Sequence, residues 1–401
     1  MSVPKLRFLE FQDALEWEQA RFVEIAEILQ GYGFPEKYQG KFDGEYPFYK
    51  VSDISISLEQ GEYFIDKANN YISKDTLKQL KAKIIPVGTT IFAKIGEAIR
   101  SNRRAITTKP CLIDNNVAGI KRIEGKSIDI FIYYLLSQIN LGEYASGVVP
   151  AVNKSAIENI LIQIPSLLEQ QKIADCLTSL ESVITAQSQK LEALGVHKRG
   201  LMQQLFPSEG ETVPKLRFLE FQDAGDWEIQ LLGQLVKRVT TGKLDANAMV
   251  ENGTYRFYTC AKNYYQIDKY AFDGESILIA GNGAYLGYIH YYTGKFNAYQ
   301  RTYVLQDFDL GALFLKYYLD KHFPARILTE KKEGNTPYIV MATITEAPIA
   351  FPSLLEQQKI ADCLTTLEQL ITAQKQKLEM LRSHKKGLMQ QLFPAPDEAQ
   401  A

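Results

Sequence analysis

Cysteine and histidine are scarce in this chain of 401 residues, with four of each. Cys111, Cys176, Cys260 and Cys363 show no CxxC spacing and are too few for a disulfide framework, which excludes a stapled secreted scaffold. His197 and His384 are copies of one another in a repeat, and His290 and His322 stand alone, so no metal site is expected. No run of about 18 apolar residues is present, and the N-terminus lacks a basic stretch leading into an apolar one. A soluble, cytoplasmic protein without a membrane span is expected. An excess of one charge is also missing: the formal net charge is −2, which argues against a simple basic nucleic-acid binder.

Catalytic signatures are missing as well. Gly119-Ile-Lys-Arg-Ile-Glu-Gly125-Lys126-Ser127 has five residues between its glycines where a phosphate cradle needs four, and no strand-to-helix context follows. Ile279-Ala-Gly281-Asn-Gly283 looks like the glycine-rich turn of S-adenosylmethionine enzymes. The chain continues, however, as the strand-like run Tyr285 to Tyr292, where that fold needs a helix N-terminus. No N-P-P-[FYW] or D-P-P-[YW] follows to hold a flipped adenine, and G-x-S-x-G, H-E-x-x-H and nuclease-type acid clusters do not occur. Recognition is favoured over chemistry.

What the chain does contain is a repeat. Val3 to Ala14, VPKLRFLEFQDA, recurs unchanged from Val213 to Ala224, each copy being followed by a tryptophan, Trp17 or Trp227. Pro165 to Pro207 recurs from Pro352 to Pro394 with eight differences, all mild except Gly195 against Arg382. The material between box and block has diverged and is longer in the first half. Faint parallels survive inside it: Tyr46-Pro-Phe48-Tyr49 with Tyr255-Arg-Phe257-Tyr258, and Gly147-xx-Pro150 with Gly334-xx-Pro337. Each divergent region thus reads as one fold with two different surfaces.

The repeated block reads as a helix opened by an S-x-x-E capping box, Ser166 to Glu169 and Ser353 to Glu356, and closed by Pro207 or Pro394. Ile173, Leu177, Leu180, Ile184, Gln187, Leu191, Leu194, Lys198, Leu201 and Leu205 alternate four-three spacing. Ile360, Leu364, Leu367, Ile371, Gln374, Leu378, Leu381, Lys385, Leu388 and Leu392 repeat it, which is a coiled-coil seam. The polar interruptions at Gln187, Gln374, Lys198 and Lys385 either fix register and partner number or mark drift to a solvated face. Gly200 and Gly387 leave room for a local break near the C-terminal end.

The divergent regions read as strands and hairpins at Ile84 to Ile99 and Ser276 to Tyr292, each followed by a helix-like stretch, Ile130 to Leu136 or Leu313 to Leu319. The expected class is α+β: two recognition domains, each a curved mixed sheet with helices, separated by two long helices in an antiparallel coiled coil with pseudo-two-fold symmetry. The expected divisions are 1–164, helix 165–207, 208–351, helix 352–394 and a disordered tail 395–401.

This architecture resembles the specificity subunit of type I restriction-modification systems. The likeness rests on the duplicated P-S-L-L-E-Q-Q-K-I-A-D-C-L helix starts and on Lys50-Val-Ser52-Asp53-Ile. It rests also on Gly281-Asn-Gly-Ala-Tyr-Leu-Gly287 with Asn297-Ala-Tyr-Gln-Arg301-Thr. The resemblance implies two target recognition domains, each reading one half of an asymmetric bipartite site on double-stranded DNA, and helices that set the gap. It implies two modification subunits that bind S-adenosylmethionine and methylate adenine. It implies optional restriction subunits that use ATP and Mg, and no cofactor on this chain. The alternatives are a stand-alone adenine-specific DNA methyltransferase built on the 281–287 turn, and a coiled-coil adaptor for protein assembly.

Candidate DNA contacts follow from charge and position. Between Lys74 and Lys126 twelve basic residues stand against four acids. Arg100, Asn102, Arg103 and Arg104 follow the turn Ala93-Lys94-Ile-Gly96 on an expected polar hairpin tip, offering guanidinium and amide groups to phosphates and base edges. Lys50, Ser52 and Lys94 join them. In the second region the candidates are Tyr258, Lys262, Asn263, Tyr264, Asn282, Tyr285 and Arg301, most of which could equally be core aromatics or turn residues.

Overall fold

The computed structural model describes residues 4–59, 61–332 and 336–394; the expected tail 395–401 and Gly334 lie outside these. The repeated blocks form helices over Leu167–Leu205 and Leu354–Leu392, 39 residues each, unbroken at Gly200 and Gly387. A helical glycine costs only about 1 kcal/mol. Burial of Leu205 with Phe206 and of Leu392 with Phe393, just beyond each glycine, offsets it.

The helix starts differ from expectation in one respect. Ser166 Oγ accepts from the Glu169 N–H, and Ser353 Oγ from the Glu356 N–H, both at 3.4 Å. The reciprocal half of the capping box does not form, because each carboxylate is engaged elsewhere. Arg7 donates through Nε and Nη2 to the two oxygens of Glu169 at 2.8 and 2.7 Å, and Trp17 Nε1 donates to the same carboxylate at 3.2 Å. Arg217 holds both oxygens of Glu356 at 2.7 Å. The same arginines donate onward to the carbonyls of Ala14 and Leu15, and of Ala224 and Gly225. The box thus ties itself to a helix N-terminus through a planar fork that lysine could not supply.

Two compact units result, one of residues up to 189 with those from 376 onward, the other of residues 190–375. Each unit contains the first part of one long helix and the last part of the other. In the first unit, Ile173 and Leu177 share a core with Leu392 and Phe393, and Glu181 farther along pairs with Lys385. The two segments therefore run antiparallel. In the second unit, Ile360 and Leu364 share a core with Leu205 and Phe206, and Glu368 pairs with Lys198. The seam lysines are thus answered by a glutamate on the facing helix, and each lies over a tyrosine ring, Tyr134 at 5.6 Å or Tyr317 at 5.5 Å. The other seam residues are buried or half-buried.

On this mount both units carry the same four-stranded antiparallel arrangement, to which the first unit adds a fifth strand. In the first, Ala26–Gln30, Val117–Arg122, Thr90–Ala93, Arg104–Thr107 and Phe64–Ile65 form a sheet in that order, antiparallel except for the last pair. In the second, Val236–Thr241, Thr302–Phe308, Glu275–Ala280 and Ile289–Thr293 form its antiparallel counterpart. Beside each lies a three-stranded sheet centred on Tyr46–Tyr49 or Tyr255–Tyr258, with one antiparallel and one parallel neighbour. The faint tetrapeptide parallel is therefore a structural equivalence. Gly31 and Gly242 mark another, since a Cβ on either would stand 1.8 or 1.9 Å from a carbonyl oxygen, that of Asp114 or Ala298. Much of the first unit's extra length is spent on the helices Val51–Glu59 and Lys74–Leu80.

Helices Asp129–Gln138 and Ala312–Glu330 cover the sheets and bring Phe131 or Phe314 against the box tryptophan. Trp17 meets Phe393 edge-on at 6.2 Å and 89°, and Trp227 meets Phe206 at 6.3 Å and 89°. Backbone continues the tie: Leu6 N–H donates to Gln391 O, and Leu216 N–H to Gln204 O, both at 2.9 Å. Gln170 and Gln357, the residues after the clamped glutamates, accept from the N–H groups of Ile128 and Gly311 at the heads of the covering helices.

The arginine and glutamate side chains of this clamp are nearly sequestered, 9%/1% exposed for Arg217 and Glu356. Removing one partner strands a charge, at a cost of about 2–4 kcal/mol. Arg217→Ala should lower the stability of the second unit by that amount in urea unfolding, and Arg217→Lys should recover only part of it. Unfolding of Arg217→Ala indistinguishable from that of the parent chain would show that the clamp does not hold the unit.

Candidate nucleic-acid interface

A glycine turn leaves the central sheet at the same place in both units. In the first, Thr90–Ala93 runs into Lys94-Ile-Gly96; Gly96 has φ +80, its N–H donates to Pro150 O at 2.8 Å, and Lys94 O accepts from Val152 N–H at 2.9 Å. In the second, Glu275–Ala280 runs into Gly281-Asn-Gly283; Gly283 has φ +83, its N–H donates to Pro337 O at 3.1 Å, and Gly281 O accepts from Ile339 N–H at 3.0 Å. The turns are one device despite their different glycine content. The N–H groups of Gly281, Gly283 and Gly287 donate to the carbonyls of Arg301, Pro337 and Ala280. The turn is thus closed on itself and leads into strand Ile289–Thr293 rather than a helix.

Around the first turn the candidates separate. Arg100 is exposed on the short 3-10 turn Glu97–Ser101 and pairs loosely with Glu97 at 3.4 Å. Arg103 is half-buried and donates to Glu59 at 3.0 Å. Arg104 does not lie on a polar tip: it opens strand Arg104–Thr107 and is 3% exposed. Its Nη2 donates to Ile139 O at 2.6 Å and to Asn102 Oδ1 at 2.7 Å, and burial pushes its guanidinium down to about 10. It is an internal tie between strand and covering helix, not a base reader. Asn102, with φ +51, completes that tie by donating to Ile139 O.

Lys94 is half-buried with its ammonium on Gln30 Oε1, and burial lowers its pKa. Lys50 donates through Nζ to Gln39 at 2.7 Å, while its N–H is taken by Asp53. Ser52 is exposed on the first turn of helix Val51–Glu59.

In the second unit Tyr258 is corrected in the same way, being 2% exposed and packed against Phe296 and His290. Lys262, Asn263 and Tyr264 are exposed on a loop latched to the sheet. His290 Nε2 sits 2.9 Å from Ala261 O; a carbonyl can only accept, so Nε2 carries the proton, and burial lowers the pKa of the ring. Tyr285 is exposed with Lys262 over its ring at 5.3 Å, which joins loop to glycine turn. Asn282 is half-buried in a bridge to Tyr338, and Arg301 is exposed. The structure therefore gathers Lys262, Asn263, Tyr264 and Tyr285 into one patch. Sequence reasoning missed Arg256, whose guanidinium lies between Tyr264 and Tyr292 at 4.3 and 4.4 Å. The available signal was its place opposite Pro47 in otherwise matching tetrapeptides.

Among the described residues no group of His, Cys, Asp or Glu is arranged to hold a metal ion, and no helix is long and apolar enough to cross a membrane. Residues 15–195 and 224–382 match the type I restriction modification DNA specificity domain. The chain belongs to that family. DNA sequence specificity within type I restriction-modification is therefore its role. This specificity chain is 44% identical over 157 residues to the EcoDI specificity subunit of Escherichia coli, a match covering 39% of the chain and 34% of that relative. It is 25% identical to the MjaVIII specificity subunit of Methanocaldococcus jannaschii over 94% of the chain and 92% of that relative. Its fold is similar to the crystal structure of the type I restriction-modification S subunit from M. genitalium, with TM-score 0.67, 17% identity and coverage of 98% and 99%. A chain solved in work on complex assembly and conformational transition of the type I R-M system gives TM-score 0.55 at 18% identity, covering 96% and 97%.

The two neighbouring arginines of the specificity chain should behave differently. Arg104→Ala removes hydrogen bonds that satisfy buried acceptors and should cost about 2–4 kcal/mol in urea unfolding. Arg103→Ala should stay within about 0.5 kcal/mol of the parent. Equal, small effects would return Arg104 to the surface.

Proposed function

We propose that each unit reads one half of an asymmetric, bipartite site on double-stranded DNA and that the two long helices set the gap between the halves. The observation that carries this reading is one fold presented twice on nearly identical mounts with different polar side chains at equivalent places. The first unit offers Lys94, Arg100 and Arg103 around its glycine turn, and Lys50 and Ser52 at the head of helix Val51–Glu59; the second offers Lys262, Asn263, Tyr264, Asn282, Tyr285 and Arg301. Guanidinium, ammonium and amide groups suit phosphates and base edges, and different sets suit different bases.

The mounts suggest how chemistry reaches the site. Leu9 and Leu219 are each 82% exposed, and Leu168 and Leu355 each 77%. An exposed leucine pair present twice at repeat-equivalent positions suits two copies of one partner. We assign it to two modification subunits, which would bring S-adenosylmethionine and methylate adenine. Restriction subunits with ATP and Mg would join in turn. On this reading the specificity chain contributes no catalytic group and binds no cofactor.

The gap is testable through the helices. One seven-residue heptad inserted after both Leu194 and Leu381 keeps the seam in phase and lengthens each helix by about 10 Å, or roughly three base pairs at 3.4 Å each. Selection from duplexes with randomised gaps, using the chain assembled with modification subunits, should recover both original half-sites about three base pairs farther apart. Affinity should fall, because the half-sites are also rotated about the duplex axis. Recovery of the original gap at full affinity would show that the helices do not set it.

A further inference from the structure

We infer that Arg256 is a specificity-determining residue of the second unit and reads a guanine in the half-site that this unit recognises. The inference rests on the proposed reading of that unit as a half-site reader.

Arg256 stands on strand Tyr255–Tyr258, the centre of the three-stranded sheet. Tyr264 and Tyr292 approach its guanidinium at 4.3 and 4.4 Å, and its Nη1 donates to the Tyr258 hydroxyl at 3.3 Å. A planar cation stacked on two rings and anchored at one corner has its orientation fixed before any ligand arrives. Several other arginines of the chain are matched to carboxylates: Arg7 to Glu169, Arg217 to Glu356, Arg103 to Glu59 and Arg326 to Glu330. Among the described residues no carboxylate pairs with Arg256, and its Nε and Nη2 groups donate to no protein atom. Neither is a sealed, unpaired atom, so water reaches them. The side chain is half-buried, and Tyr264, one of the two rings against it, belongs to the exposed loop that carries Lys262 and Asn263.

Two in-plane N–H groups held in a fixed fork match the O6 and N7 acceptors of guanine in the major groove. A phosphate would also accept from them, and the comparison between units decides against it. Phosphate contacts position a domain on a backbone that is alike everywhere, so one fold used twice has no reason to change them. Base contacts must differ between the halves of an asymmetric site. At the position of Arg256 the first unit has Pro47, within an equivalent strand that keeps Tyr46, Phe48 and Tyr49. The difference is therefore of the kind that changes the sequence read.

The test is selection from duplexes randomised in both half-sites, with the assembled complex carrying the parent chain, Arg256→Ala or Arg256→Gln, and with melting measured alongside. The parent should select guanine at one position of the half-site read by the second unit. Both variants should relax that position, bind the parental site about 5- to 150-fold more weakly, and keep the other half-site unchanged. Arg256→Gln retains much of the side chain's bulk, so its unchanged melting separates lost reading from lost folding. A guanine preference intact at every position in both variants overturns the inference. So does uniform weakening on all sequences with a salt slope smaller by about one, which would make Arg256 a phosphate contact. Absence of any sequence preference in the parent complex would instead overturn the half-site reading itself, and the inference with it.

Discussion

The clamp between an arginine of the amino-proximal box and the third residue of a long helix is the constraint on which the rest depends. Glu169 and Glu356 would ordinarily turn back to cap their own helix. Here each is gripped in bidentate fashion by Arg7 or Arg217, residues 162 and 139 positions away in the chain. That contact fixes where the box lies and seats Trp17 or Trp227 against a phenylalanine that follows the end of the other long helix. It also sets the neighbouring glutamine, Gln170 or Gln357, to hold the head of the helix that covers the sheet. A fork geometry shared by several elements tolerates little change, which accounts for a box repeated without a single substitution.

The sheets above the clamp obey a weaker constraint. They must keep strand order, the close approach at Gly31 or Gly242, and the glycine turn stitched to Pro150 or Pro337. Side chains beyond these points can change without cost to the mount. Arg256 against Pro47 shows that freedom at one strand position. The extra helices Val51–Glu59 and Lys74–Leu80 show it on the scale of whole elements. Local basic residues on a nearly neutral chain fit this division, since only the presented faces need to attract DNA.

The repeat, the helix bounds and the seam were legible because they rest on local periodicity and on near-identity of the two copies. The partners of the seam lysines were not, since Glu181 and Glu368 sit beside the seam in sequence and meet Lys385 and Lys198 only after the helices pair. The capping box misled for the same reason: the nearest N–H lost to a guanidinium that sequence distance concealed. Arg104 was read as a surface charge because its neighbours are polar. Strand Arg104–Thr107 is buried at all four positions, however, so it carries no alternation from which an inward side chain could be read. Tyr258 and Arg256 divide in the opposite sense. The aromatic residue forms the core and the cation between its neighbours' rings reaches solvent, an arrangement that only the packing of Tyr264 and Tyr292 reveals.

The central claim is that one mount carries two independent readers. Exchange of residues 18–164 for the matching region of another specificity subunit tests it most directly, because the cut falls after Trp17 and before Pro165 and leaves Arg7, Trp17 and Glu169 native. The half-sites selected by the assembled complex from randomised duplexes are the readout. The account predicts a new sequence in one half-site, with the other half-site and the gap unchanged. A change in both half-sites would contradict it.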